Sequence, residues 1–253
     1  MQKVRFILVI ISALYIMAAT ALIVEQKQIK DAKPVASPRE ARVFCWDADK
    51  NDFKKIDTEF FGDISFSSPV STSILADIDN DNVSESYDLF DGILTVTENS
   101  LTIWQSDARW EVDSFVLADS NNDGISDLNL SLWKPGNFGE VMPLWVREND
   151  MSVKNHFFIY DLVGNEMKSL WQSSNLPSPN RQFLIDDINA DGENELIVIE
   201  GDYADSTRSG QYLAVWKWHE WGFLNEWRSD KGEFSGLKVE DFGGKKCIMG
   251  MSS

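Results

Sequence analysis

The chain has 253 residues, 43% hydrophobic and 12% aromatic with ten Trp, so it can bury a sizeable core and does not belong with disordered acidic tails. Its net charge of −18 makes nucleic acid a poor partner. With two histidines, His156 and His219, and no Gly-x-Ser-x-Gly, no Gly-rich phosphate loop ending in Lys-Ser/Thr and no zinc-spaced His/Cys cluster, no catalytic residue is expected and the chain does not read as an enzyme.

In chain order, Met1–Arg5 is a basic lead, and Phe6 to Val24 is uncharged and mostly apolar, long enough for a membrane-spanning helix. The small-x-small triplet Ala19-Thr20-Ala21 offers a signal-peptide cleavage site. The apolar run continues past it through Leu22-Ile23-Val24, which favours an uncleaved anchor over a secreted product. Either reading places the rest outside the cytoplasm. Residues 25–41 are polar and carry Pro34 and Pro38, a stalk between residues 1–24 and a folded domain over 42–253.

The domain opens with a hairpin pattern, Arg42 to Asp47 and Phe53 to Asp57, and then shows an acidic nonapeptide three times. The copies run Asp77 to Glu85, Asp119 to Asp127 and Asp187 to Glu195. Oxygen side chains fall at positions 1, 3, 5 and 9: Asp77, Asp79, Asp81 and Glu85; Asp119, Asn121, Asp123 and Asp127; Asp187, Asn189, Asp191 and Glu195. Position 6 is Asn82, Gly124 or Gly192, types that tolerate positive φ where the chain turns sharply. Position 7, Val83, Ile125 or Glu193, can add a backbone carbonyl. Several hard oxygens around one point suit Ca²⁺ better than Mg²⁺. An EF-hand is excluded, because position 12 is Asp88, Leu130 or Val198 rather than Glu, and β-rich sequence follows.

This pattern, D-x-[DN]-x-D-[GN]-x-x-[DE] followed by a strand, resembles the FG-GAP and VCBS-type calcium-binding repeats that form blades of integrin α-like β-propellers. Asn82 departs from the usual Gly of that motif. The resemblance implies an all-β fold, a small β-propeller of about four blades, and a calcium-binding recognition or scaffold module at the cell surface. Its partner would be a protein or glycan, with the membrane contacted through the N-terminal helix.

Each loop leads towards a hairpin, and three hairpins end in Trp-x-Ser: Trp104-Gln105-Ser106, Trp171-Gln172-Ser173 and Trp227-Arg228-Ser229. A fourth loop near Asp241 keeps one ligand position and leads into a strand ending the chain. It lacks a hairpin, while the first hairpin lacks a loop, so the two ends are expected to share one blade and close the ring. An incomplete ring or a β-sandwich fits the same short strands. Cys45 and Cys247 lie in those end strands, where export permits a disulfide, and two buried unpaired thiols are the other reading. Trp216, Trp218, Trp221 and Trp227 are either inter-blade packing or a ligand surface. An exported carbohydrate-active enzyme using loop carboxylates is the alternative to the recognition module.

Overall fold

A computed structural model describes residues 41–56, 73–138, 144, 146–205 and 209–252. The expected anchor and stalk, apart from Ala41, lie outside the described residues. Among the described residues no helix is long and apolar enough to cross a membrane.

The described residues form sixteen strands and no helix, in three sheets. The strands are β1 Ala41–Asp47, β2 Asp52–Ile56, β3 Ser73–Ala76, β4 Glu85–Phe90, β5 Ile93–Glu98, β6 Leu101–Gln105, β7 Glu111–Ala118 and β8 Asp127–Pro135. They continue with β9 Val153–Val163, β10 Glu166–Gln172, β11 Asn180–Asp186, β12 Glu195–Gly201, β13 Gly210–His219, β14 Gly222–Arg228, β15 Phe234–Asp241 and β16 Lys246–Ser252. Every pairing is antiparallel, and the strands group into four-stranded meanders. β3 to β6 form the first, β7 to β10 the second, and β11 to β14 the third. The fourth combines both ends of the domain in the order β15-β16-β1-β2. One residue pair, Gly210 with Phe234, joins the third and fourth into an eight-stranded sheet. Glycine is required at that joint, since a Cβ on residue 210 would stand 1.8 Å from Ile199 Cγ2.

The expected pairing of the domain ends is observed: β1 lies against β16 from Ala41–Met251 to Cys45–Cys247. A disulfide joins Cys45 to Cys247, which decides between the two readings of the cysteines. Across β15 and β16 the fourth loop shrinks to a tight hairpin with Gly243 and Gly244 at positive φ, where Asp241 Oδ1 accepts the Gly244 N–H.

Apolar burial follows the period of two along the inner strands. On β12, Ile197 and Ile199 join the cluster shared with Phe44, Phe53 and Ile248, whereas Leu196 and Val198 join Phe157, Ile159 and Phe183 of the second and third meanders. On β9, Phe158 and Tyr160 turn the other way, towards Tyr87, Leu94 and Val96. Strands buried on both faces read as continuous apolar runs, which explains Leu196 to Ile199.

The Trp-x-Ser endings have one shared role. Ser106, Ser173 and Ser229 each accept a backbone N–H through Oγ, from Leu94, Phe157 and Leu213 at 2.9–3.0 Å. Each serine N–H returns a bond to the same residue's carbonyl. In the first three meanders the last strand carries a bulge, and the serine secures the chain just beyond it. The tryptophans pack: Trp227 stands against Phe44 and Phe53, and Trp218 against Trp171 and Phe223. Trp216 donates Nε1–H to Glu200, while Trp221 is exposed.

Candidate metal centre

The three acidic loops are the connections between first and second strands of the first three meanders. Position 1 directly follows β3, β7 or β11 in the third case after Asp186, and position 9 is the first residue of β4, β8 or β12. All three fold on one hydrogen-bond plan. Position 1 accepts the N–H groups of positions 5 and 6: Asp77 from Asp81 and Asn82, Asp119 from Asp123 and Gly124, Asp187 from Asp191 and Gly192, at 2.8–3.2 Å. Position 3 also accepts from position 5, and position 5 accepts from position 7. The position 9 carboxylate takes the N–H of position 2, from Ile78, Ser120 or Ile188, at 3.1–3.4 Å.

Positions 4 and 6 take positive φ in every copy: Asn80 and Asn82, Asn122 and Gly124, Ala190 and Gly192. Asn82, at φ 72°, therefore reproduces the turn that Gly makes in the other loops. Each carboxylate oxygen has two lone pairs, so accepting one N–H leaves capacity for a cation. In the first loop, carboxylate oxygens of Asp77, Asp79, Asp81 and Glu85 all lie within 4.8 Å of one another, a set that could hold a metal ion.

Position 9 is the electrostatic pivot. Glu85, Asp127 and Glu195 are each 1% exposed or less. Burial pushes Asp127 and Glu195 up to about 7, with Asp123, Asp119 and Asp161 adding to the effect at Asp127. Glu85 rises for the same reason, reinforced by Asp79 and Asp77. Packing negative groups this way is unfavourable unless a cation joins them. At Asp127, Oδ1 is buried and has no hydrogen-bond partner. The donor set thus fits a hard divalent cation, by charge and by this unsatisfied oxygen.

The residue facing position 9 differs among the loops. Glu195 pairs across the sheet with Lys217 on β13. The registers that pair Leu128 with Tyr160 and Ser86 with Thr97 bring Asp161 and Glu98 to the corresponding positions of the second and first. The Lys217 ammonium contacts Asp191, Glu193 at 3.0 Å and Glu195 at 3.4 Å. Burial pulls the Lys217 pKa down, but hydrogen bonds to Asp191 and Glu193 and the charge of Glu195 outweigh it and hold the amine above its usual range. A cavity of about 320 Å³ opens beside it, bordered by Trp46, Asp52, Glu226 and Trp227.

Sequence reasoning missed Lys217, Asn122 and Asn194, which tie the loops to their surroundings. Strand register between β12 and β13 links Lys217 to Glu195, and no sequence pattern marks that register. His156 is fully buried with Nδ1 on the Ser173 carbonyl, while His219 is exposed. No protein-family model matches the chain, and no curated protein matches it either.

Proposed function

We propose that this chain is a calcium-binding β-propeller of the FG-GAP or VCBS type, its four meanders serving as blades, and that it acts as a recognition or scaffold module outside the cytoplasm. The observation that carries the reading is the shared hydrogen-bond plan of three acidic loops at equivalent places in successive meanders. In the loops at Asp77 and Asp119, side chains at positions 1, 3, 5 and 9 are the ion's ligands, with the carbonyls of Val83 and Ile125 completing the shell. The pairing of β1 with β16 supports ring closure, because it removes two open sheet edges.

Calcium here is structural. It neutralises the Asp127 and Glu85 carboxylates that burial and neighbouring negative charge make unfavourable, and so couples ion binding to folding. The disulfide supports an oxidising compartment, in keeping with an exported domain anchored through Phe6 to Val24 and a protein or glycan partner at the cell surface. Calcium titration of the purified, chelator-stripped protein by calorimetry tests the reading. Saturable binding with a raised melting temperature supports it, and the absence of both refutes it. Membrane fractionation tests the anchor, which predicts retention through carbonate washing.

A further inference from the structure

Lys217 comes from β13, side by side with Glu195, and is 9% exposed. Its ammonium has three donors, and three carboxylates of the third loop meet it, at positions 5, 7 and 9. We infer that the third loop is closed by this internal ammonium and takes no divalent cation, leaving calcium to the loops at Asp77 and Asp119. The inference rests on the calcium reading of the loops proposed above.

The contrast between the second and third loops carries the argument. In the third, Glu195 Oε1 receives both the Lys217 ammonium and the Asn189 amide, the latter at 3.0 Å. The Asn189 amide and Lys217 also converge on Asp191 Oδ2. The inward oxygens are thus occupied by donors from the protein itself. In the second loop the corresponding buried oxygen, Asp127 Oδ1, has no partner. There the cross-strand position holds Asp161, which adds negative charge, and in the first loop it holds Glu98.

A divalent ion entering the third loop would have to coordinate Asp191 and Glu195 while a fixed positive charge stands on the same two groups. Like charges at this range repel strongly in a partly buried setting. Expelling Lys217 would break three charge-assisted contacts before the ion gained any. Lysine thus replaces the metal within an otherwise unchanged loop. The third meander keeps its shape in the absence of calcium, whereas the first two depend on it.

Counting bound calcium by native mass spectrometry and calorimetry on the intact protein tests this. The expected result is that Asp187→Ala leaves the wild-type stoichiometry unchanged, that Asp119→Ala lowers it by one, and that Lys217→Met raises it by one. A loss of one ion in Asp187→Ala overturns the inference, as does a Lys217→Met protein that folds and gains none. If Lys217→Met does not fold, the Asp187→Ala comparison alone decides. No calcium on the wild type but one ion on Lys217→Met sinks the calcium reading of the first two loops and upholds lysine closure. No ion on either protein sinks both.

Discussion

Asn122 and Asn194 hold each other's loops together. The Asn122 amide donates to the Asn194 carbonyl at 3.1 Å, and its Oδ1 accepts the Asn194 N–H at 2.6 Å. Asn194 then sends its own amide to the Asp119 carbonyl at 2.8 Å. The clasp joins the second and third acidic loops, and it depends on the positive φ of Asn122, which its side-chain type tolerates. Asn122→Ala should destabilise the protein by about 1–3 kcal/mol, because the Asn194 N–H and carbonyl lose their partners. Asn194→Ala added to it should cost less than the sum, with a coupling of about 0.5–3 kcal/mol. Urea unfolding of the single and double variants measures this, and strict additivity would show that the clasp carries no shared energy.

Calcium should raise the melting temperature. An ion that binds only the folded state contributes about 2.7 kcal/mol per site at a hundredfold excess over Kd. For a domain of this size that corresponds to a rise of roughly 5–10 °C per site. Asp77→Asn with Asp81→Asn should abolish the first loop's share and leave the rest, as read by scanning calorimetry with and without chelator. An identical melting curve in both conditions would count against the whole scheme.

The disulfide spans 202 positions of sequence. Such long loops gain the most from cross-linking, and replacing both Cys45 and Cys247 by Ala should lower stability by about 2–5 kcal/mol. A non-reduced digest should yield the two peptides linked. Denaturant midpoints of the oxidised, reduced and double-alanine proteins give the magnitude, and reduced and double-alanine forms should agree closely.

His156 predicts an acid sensitivity. Burial, helped by the nearby positive charge of Lys134, brings its pKa down to about 4, whereas in the unfolded chain it returns to about 6.5. The unfolded state therefore binds the extra proton in that window, and stability contributed by neutral His156 is full above pH 6.5 and lost as pH falls towards 4. The loss is about 3 kcal/mol at most. The buried carboxylates Asp127 and Glu195 titrate in the opposite sense, so the test is a difference. His156→Gln should lose less stability than wild type between pH 7 and pH 4 in chelator, by urea unfolding, and parallel pH profiles would refute the assignment.

The acidic loops were legible because a loop folded on this hydrogen-bond plan must place oxygens and turn residues at fixed spacing, whatever surrounds it. Asp77, Asp119 and Asp187 each accept the N–H of the residue at position 6, the turn residue marked by that spacing. The hairpins were legible as well, since Leu94, Phe157 and Leu213 lie in strands whose partners end just before Ser106, Ser173 and Ser229. What each serine does was not, because a hydroxyl secured to a bulge leaves no trace beyond its recurrence. Lys217 was illegible for a related reason: its meeting with Glu195 depends on strand register, and a shift of one residue would have turned it to the other face. Pairing of Cys45 with Cys247 likewise required the alignment of β1 on β16, which cysteine count alone leaves open.

The seating of β1 between β16 and β2 sets an order of assembly during synthesis. The β1–β2 hairpin emerges first, yet the strand beside it is made roughly two hundred residues later. Until then the hydrogen-bonding edge of β1 faces other chains, and Cys45 remains available to the wrong thiol. The first three meanders can collapse locally, while the fourth waits on a contact of very long range, the slow kind in β proteins. A ribosome stalled before Lys246 would release a chain with three meanders complete and an orphaned hairpin seeking a strand.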